Sequence, residues 1–165
     1  MRHPTPDPPA PGQESVWDYP RPPRVEPSDE TIEVWVGGVR VASSTRTLRV
    51  LETSHPPTYY VPVADVEPGA LRPVDGATWC EFKGEAAYYD LVGGGVTAQR
   101  AAWSYPRPTR GFEALVDHVA VMPGAVDRCS VDDEVVVPQA GGFYGGWVTS
   151  RVAGPFKGEP GSWGW

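Results

Sequence analysis

Thr31-Ile32-Glu33-Val34-Trp35-Val36-Gly37-Gly38-Val39-Arg40-Val41-Ala42 is the stretch that decides the fold class. Its first arm alternates with a period of two, Gly37-Gly38 supplies the left-handed backbone that a two-residue hairpin turn demands, and a second extended arm returns. Reading outward, residues 47–53 fit a short strand or one helical turn, the strand being preferred, stopped by Pro56-Pro57, and Thr58-Tyr59-Tyr60-Val61 is extended ahead of Pro62. Residues 79–83 and 86–92 read as one long strand interrupted at Gly84, where a lone glycine marks a bulge or a close approach by a ligand or another backbone. Gly93-Gly94-Gly95 then turns the chain into residues 96–103.

One short helix is expected after Thr109 as N-cap, because Phe112, Leu115, Val116 and Val119 fall at i, i+3, i+4 and i+7. Strands at 119–122, 125–131 and 134–137 follow, separated by Pro123-Gly124 and Asp132-Asp133 turns, and the chain closes on the Gly-aromatic run GGFYGGW at 141–147. The expected class is therefore all-β with one short helix. Residues 1–14 are proline-rich and poor in apolar side chains, so they are expected to be a disordered leader, with residues 15–165 forming a single domain.

Lys+Arg 14 against Asp+Glu 21 leaves a net charge of −7, the wrong sign for a surface that must neutralise phosphate backbones or anionic lipid. No nucleic acid and no membrane partner is expected; no apolar run approaches a membrane span, the first residues hold no apolar signal core, and the location is read as cytoplasmic. Cys80 and Cys129 are the two cysteines and form no C-x-x-C pair, so neither a disulfide framework nor a four-cysteine zinc site is expected. No metal and no cofactor is predicted.

Two short motifs occur twice. Trp17-Asp18-Tyr19-Pro20-Arg21-Pro22 returns as Trp103-Ser104-Tyr105-Pro106-Arg107-Pro108, and Phe82-Lys83-Gly84-Glu85 returns as Phe156-Lys157-Gly158-Glu159. Lys83 and Lys157 are the only lysines beside twelve arginines. The W-x-Y-P-R-P pair reads as an echo of shared packing, each tryptophan anchoring the start of a sheet segment.

VWDYPRPP, RTLRVLETSHPPTYYVPVADV, TWCEFKGEAAYYD, AAWSYPRP and the closing GGFYGGWVTSRVAGPFKGEPGSWGW together resemble the domain-of-unknown-function family 427, in the longer form common in actinobacteria. The resemblance implies a β-tent-like architecture, two small antiparallel sheets leaning together over a cavity. Several β-tent relatives bind zinc through two C-x-x-C pairs, which this chain lacks, so the metal does not carry over. The family also carries a nucleotidyltransferase label; two-metal phosphoryl chemistry needs paired carboxylates, and Asp132-Asp133 on a hairpin tip is the one adjacent aspartate pair here.

The family motif C-x-x-K-G-x-A-x-Y falls on Cys80, Lys83, Gly84, Ala86 and Tyr88. Lys83 among aromatics suits an anion anchor or an amine nucleophile; the plainer alternative is a pair with Glu81 or Glu85, or a cation–π contact. Arg46 and Glu52 bracket TLRVLE and, on a strand, share a face, so they suit a carboxylate clamp and a base; the plainer alternative is an ion pair at a sheet edge. His55 in SHPP is a candidate base for Cys80, or a loop residue bonded to its own turn. Tyr59, Tyr60, Tyr88, Tyr89, Trp35, Trp79 and Trp103 are candidate walls of an aromatic pocket or core residues. Lys157 is expected only to dock the tail.

The sequence-level function is thus a small-molecule-binding domain, with a ligand-binding set of Arg46, Glu52, Tyr60, Cys80, Lys83 and Tyr88 in a cavity between the sheets. Catalytic candidates are Lys83, Glu52, His55 and Cys80, acting on a polar or anionic metabolite. The alternative is a non-catalytic interaction module that docks a protein through WDYPRPP and exposed tryptophans.

Overall fold

A computed structural model describes residues 3–165. In chain order the strands are β1 (Glu14–Ser15), β2 (Arg24–Ser28), β3 (Ile32–Val36), β4 (Val39–Ser44) and β5 (Thr47–Leu51). They continue as β6 (Thr58–Pro62), β7 (Leu71–Cys80), β8 (Gly84–Gly93), β9 (Val96–Ser104) and β10 (His118–Val121). The last are β11 (Arg128–Val131), β12 (Glu134–Val135), β13 (Val137–Pro138), β14 (Trp147–Val148) and β15 (Val152–Ala153). A seven-stranded sheet runs in the order β2-β5-β6-β10-β9-β8-β7 and a four-stranded sheet in the order β12-β11-β3-β4. Two small pairs, β1-β15 and β13-β14, tie the chain's ends to the body. The fold is all-β.

Alternation dictates how the sheets meet. In β3, Ile32, Val34 and Val36 are buried while Glu33 and Trp35 face outward, Trp35 under the Arg128 guanidinium 4.3 Å from its ring centroid. These valines and Ile32 pack on Tyr59, Val61, Leu91, Val119 and Val121 of the larger sheet, and this apolar layer fills the space between the sheets. β6 is buried along both faces, because the next residue in register, Tyr60, belongs to a second cluster with Val50, Ala120, Phe112 and Leu115 on the opposite side of the sheet. A continuous apolar strand is what burial on both faces requires.

The 31–42 hairpin forms as expected, with Val36 opposite Val39 and both glycines at positive φ. The Gly94-Gly95 turn has the same build, and the two turns abut: a Cβ on Gly94 would lie 2.0 Å from the Gly37 carbonyl oxygen. Only glycine lets the tips of the two sheets touch through their backbones.

Two local expectations change. The helix after Thr109 is a single 3-10 turn, Glu113–Leu115, and Asp117 at φ 59 redirects the chain into β10. The apolar spacing belongs to two elements: Phe112 and Leu115 cover the outer face of the large sheet, while Val119 faces the inter-sheet core. The physical reason is pairing, since β10 fills the gap between β6 and β9 and a helix there would leave both edges without partners. Likewise residues 79–92 are a hairpin, not one strand, because Cys80 pairs with Gly84 around a turn of Glu81, Phe82 and Lys83. The close backbone approach expected at Gly84 is present: its φ is 108 and a Cβ would meet the Arg107 carbonyl oxygen at 3.2 Å.

The disorder expected of residues 1–14 lies, for residues 1 and 2, outside the described residues. Residues 3–13 form no strand or helix, turn at Pro11-Gly12 and are largely exposed, fastened by Asp7 N–H to the Gly154 carbonyl (2.8 Å) and Gln13 Nε2 to the Ser150 carbonyl (2.9 Å). Among the described residues no helix is long and apolar enough to cross a membrane.

Candidate functional site

A cavity of about 450 Å³ opens on the outer face of the seven-stranded sheet. Register explains its floor: Val50 pairs with Thr58, Tyr60 with Ala120, Ala120 with Trp103, and Trp103 with Tyr88, so these side chains share one face. The β7–β8 turn forms one wall with Cys80 and Lys83; Glu52, His55, Gln139, Tyr144 and Lys157 supply others. Trp79 and Phe143 also line it, although they are 72% and 79% exposed, which places them at the mouth. The cavity therefore lies outside the inter-sheet space expected from the β-tent resemblance, because that space is closed by valine, leucine and tyrosine packing.

Glu52, His55, Tyr60, Cys80, Lys83 and Tyr88 are brought together here, and Arg46 is not. Arg46 lies in the bend before β5, 65% exposed at its side chain, with Nε and Nη2 donating to the two Asp65 oxygens at 3.0 and 2.8 Å. It borders a separate polar cleft with Arg49, Glu26 and Glu30. The assumption that failed is that residues 46 to 52 are one strand: β5 begins at Thr47 and ends at Leu51, so the two-residue alternation does not extend to both ends. Glu52 pairs with Arg21 at 3.4 Å rather than with Arg46.

The candidate aromatic wall divides by register. Tyr60, Tyr88, Trp79 and Trp103 line the cavity. Tyr59 points into the inter-sheet core with its hydroxyl donating to Glu30 (2.8 Å), and Tyr89 packs against that core with its hydroxyl on Ser104 Oγ (3.1 Å). Burial pushes the Tyr60 and Tyr105 phenols well above their ordinary range, so both stay protonated.

The two FKGE turns have parallel construction. Lys83 offers its carbonyl to Thr109 N–H (3.0 Å), Gly84 follows in left-handed backbone, and the ammonium lies 5.7 Å from the Tyr105 ring centroid. Lys157 offers its carbonyl to Gln139 Nε2 (2.6 Å), Gly158 follows at φ 112 with the Ala140 carbonyl where a Cβ would be, and the ammonium lies 5.7 Å from the Tyr144 centroid. Lys157 Nζ also donates to the Trp165 carbonyl at 3.1 Å. Among the described residues neither lysine has an Asp or Glu side-chain carboxylate within 4.0 Å. The cation–π alternative for Lys83 thus describes its setting, while the Glu81 and Glu85 pairs do not form. The tail docks as expected at Lys157, and in docking it delivers that lysine to the cavity.

Gln139, unread in the sequence, organises this wall. Its amide nitrogen donates to the Lys157 carbonyl (2.6 Å) and its oxygen accepts from Gly146 N–H (3.1 Å), so the amide orientation is set by partners that cannot exchange roles. The second amide hydrogen then faces His55 Nδ1 at 3.1 Å, which must be the acceptor. The proton of the neutral ring sits on Nε2, 3.6 Å from Glu52 Oε2. Burial, with Lys157 and Arg21 nearby, holds the His55 pKa down at about 4 from its ordinary 6.5. His55 is a neutral hydrogen-bond donor at Nε2. Although it shares the cavity with Cys80, the free lone pair that a base for the thiol needs is already taken by Gln139.

A depressed folded-state pKa means the unfolded chain binds the proton first as pH falls. His55 therefore contributes stability that is complete above about pH 6.5 and lost between there and about pH 4, on the order of 3 kcal/mol. Urea denaturation at steps from pH 7.5 to 4.5 is expected to show this decline, and His55→Asn to flatten it. An equally steep decline in the variant would assign it elsewhere.

The remaining sequence candidates are structural. Asp132-Asp133 is the tight turn between β11 and β12, Asp132 accepting from Thr31 N–H (2.7 Å) and pairing with Arg151 (2.5 Å). Trp17 donates its indole N–H to the Pro155 carbonyl (2.9 Å), Tyr19 is buried, and Trp103 and Tyr105 pack on Tyr60, so the aromatic residues of both W-x-Y-P-R-P copies are packed against the body, while Arg21, Pro22, Pro106 and Arg107 are exposed. Each copy sits against the other motif's distant partner: Trp17 beside Phe156, and Tyr105 beneath Lys83. Among the described residues no group of three or more His, Cys, Asp or Glu is placed to hold a metal ion.

An all-β domain with an aromatic, two-lysine cavity on one sheet face is the class of protein this geometry defines. The chain belongs to a family described as a domain of unknown function (DUF427), whose sequence model matches residues 24–132. That span carries the whole seven-stranded sheet, three strands of the four-stranded sheet (β3, β4 and β11) and Lys83, His55 and Cys80, whereas β12, Gln139, Tyr144 and Lys157 lie beyond it. A comparison with curated proteins gives no match.

Proposed function

We propose that this chain is a small-molecule-binding domain that takes an anionic metabolite into the cavity over the seven-stranded sheet. The observation that carries the reading is convergence: the only two lysines of the chain, 74 residues apart, line one aromatic-walled cavity, and among the described residues neither has an Asp or Glu side chain within 4.0 Å. Lys83 and Lys157 serve as anion anchors, the His55 Nε2–H as a neutral donor, and Tyr88 and Trp103 as flat contact surface. Glu52, oriented by Arg21, is the one carboxylate beside His55 and the group best placed to take a proton from a bound ligand. A cavity of this volume is in the ordinary range for metabolites. Two free thiols and the net charge of −7 accord with a reducing, cytoplasmic setting.

A thermal-shift screen of wild type and Lys83→Met against metabolites grouped by charge tests this. Anionic compounds at about 100 times their Kd are expected to add roughly 2.7 kcal/mol, about 5–10 °C in a domain of this size, with the gain lost in Lys83→Met. Folded proteins that respond to no anion, or a variant that responds like wild type, would overturn the proposal.

A further inference from the structure

We infer that the cavity holds a tetrahedral dianion of the phosphomonoester type, gripped by Lys83 and Lys157 together and joined to a flat apolar body. The inference rests on the small-molecule reading above and narrows it. Its first support is charge. Lys83 and Lys157 line the cavity with no Asp or Glu side chain within 4.0 Å among the described residues, Lys157 donating also to the main-chain oxygen of Trp165. Of the two carboxylates on the cavity wall, Glu52 is engaged by Arg21 and Glu81 pairs with neither lysine, and His55 is neutral. A phosphomonoester carries close to two charges at neutral pH, one for each ammonium.

The second support is the choice of cation. Twelve of fourteen basic residues are arginine, and the structure uses arginine wherever a planar carboxylate is gripped, as at Asp65 by Arg46 and at Glu14 by Arg49. A planar fork matches a planar carboxylate; a compact ammonium with rotatable donors matches oxygens spread around a tetrahedral centre. Both cavity cations are lysine, and each approaches a tyrosine face at 5.7 Å, an arrangement that holds the ammonium without neutralising it. A third donor, the His55 Nε2–H, is kept protonated by Gln139.

The third support is the body of the site. Tyr88 and Trp103 are neighbours in register on the floor, and Trp79 and Phe143 stand exposed at the mouth, so a flat ring attached to the phosphoryl group finds aromatic contact along the way in.

The test compares phenyl phosphate with benzenesulfonate, which share ring and tetrahedral head but differ in charge, and with phthalate, a dianion of planar carboxylates. Isothermal titration at pH 7.5 is expected to give phenyl phosphate at least 10-fold tighter binding than either. Lys83→Met and Lys157→Met are each expected to erase most of that advantage. Both substitutions keep the lysine carbonyls in their hydrogen bonds, and Lys157→Gln reads the same charge loss should Lys157→Met fold poorly. Equal binding of phenyl phosphate and benzenesulfonate, both lost in Lys83→Met, would overturn the dianion while leaving an anion site standing. Tighter binding of phthalate would overturn the tetrahedral head, and dependence on one lysine alone would overturn the shared grip. Silence toward all three probes in folded protein would overturn this inference; the anion reading itself stands or falls with the wider screen.

Discussion

Trp147→Ala is expected to cost about 3–5 kcal/mol of folding stability, the range for removing a fully buried large aromatic. Trp147 is 1% exposed, its ring centroid lies 4.9 Å from that of Tyr59, and its indole N–H donates to the Val121 carbonyl at 3.1 Å. Truncation would open a cavity in the inter-sheet core and leave the Val121 carbonyl without that donor. Because domains of this kind are stable by only about 5–15 kcal/mol, the loss is a large fraction of the whole. Denaturant titration should show a lower midpoint at an unchanged m-value. The same substitution loosens the anchor of the candidate site's wall, since the Trp147 backbone N–H donates to the Pro57 carbonyl and Gly145-Gly146 immediately before it close the cavity wall against Trp103 and Gln139. A loss below about 1 kcal/mol would show that the indole is not the wedge holding this segment down.

Gln139→Ala carries the next largest expectation, about 3 kcal/mol, because it strands the Lys157 carbonyl and Gly146 N–H and empties a side-chain volume in a 3% exposed position. Stability alone would not separate a packing role from the tautomer role argued above. The separating measurement is the ¹⁵N spectrum and titration of the His55 ring. Wild type is expected to hold the proton on Nε2 and to titrate near pH 4, as the buried ring's depressed pKa requires. In the variant Nδ1 loses its donor and the ring samples both tautomers, while water entering the emptied volume relieves the burial that chiefly holds the pKa down, so the titration moves up toward 6.5. Gln139→Glu should raise it further, since a carboxylate facing Nδ1 stabilises imidazolium. An unchanged ring in both variants would mean that the tautomer is set elsewhere, and the neutral donor at the cavity would lose its basis.

Legibility followed the range of the interactions involved. The β3–β4 hairpin was readable because its determinants lie within a dozen residues: period-two alternation and two glycines that accept positive φ. The segment 112–119 was misleading for the same local reason. A helical spacing can arise by chance from residues of two elements, and the choice between them was made by β6 and β9, each needing an edge partner that no window around Val119 contains. Cavity residues on the large sheet, Tyr60, Cys80, Lys83 and Tyr88, were legible as a mixture of charged and aromatic side chains in adjoining strands. Gln139 and Tyr144 were not, since a lone glutamine and a Gly-aromatic turn carry no chemistry until the tail folds back. Lys157 did leave a signal, the repeat of FKGE, and its weight was underread because the repeated letters are common ones.

Composition and local pattern by themselves determined the all-β class, the absence of cysteine pairs for zinc, the turn chemistry at Gly37-Gly38 and the close backbone approach at Gly84, and the quoted motifs carried the resemblance to the family. Tertiary structure alone decided which face of the large sheet is closed and which is open. Alternation places Tyr59 and Tyr60 on opposite faces but cannot say which face a second sheet will cover; β3, β4 and β11 cover the Tyr59 side, and the C-terminal segment roofs the Tyr60 side. It also decided that two lysines 74 residues apart would face one space and that Arg46 would not. The reason is that strand periodicity is a property of neighbours, whereas a cavity is made where distant segments stop short of filling the volume between them.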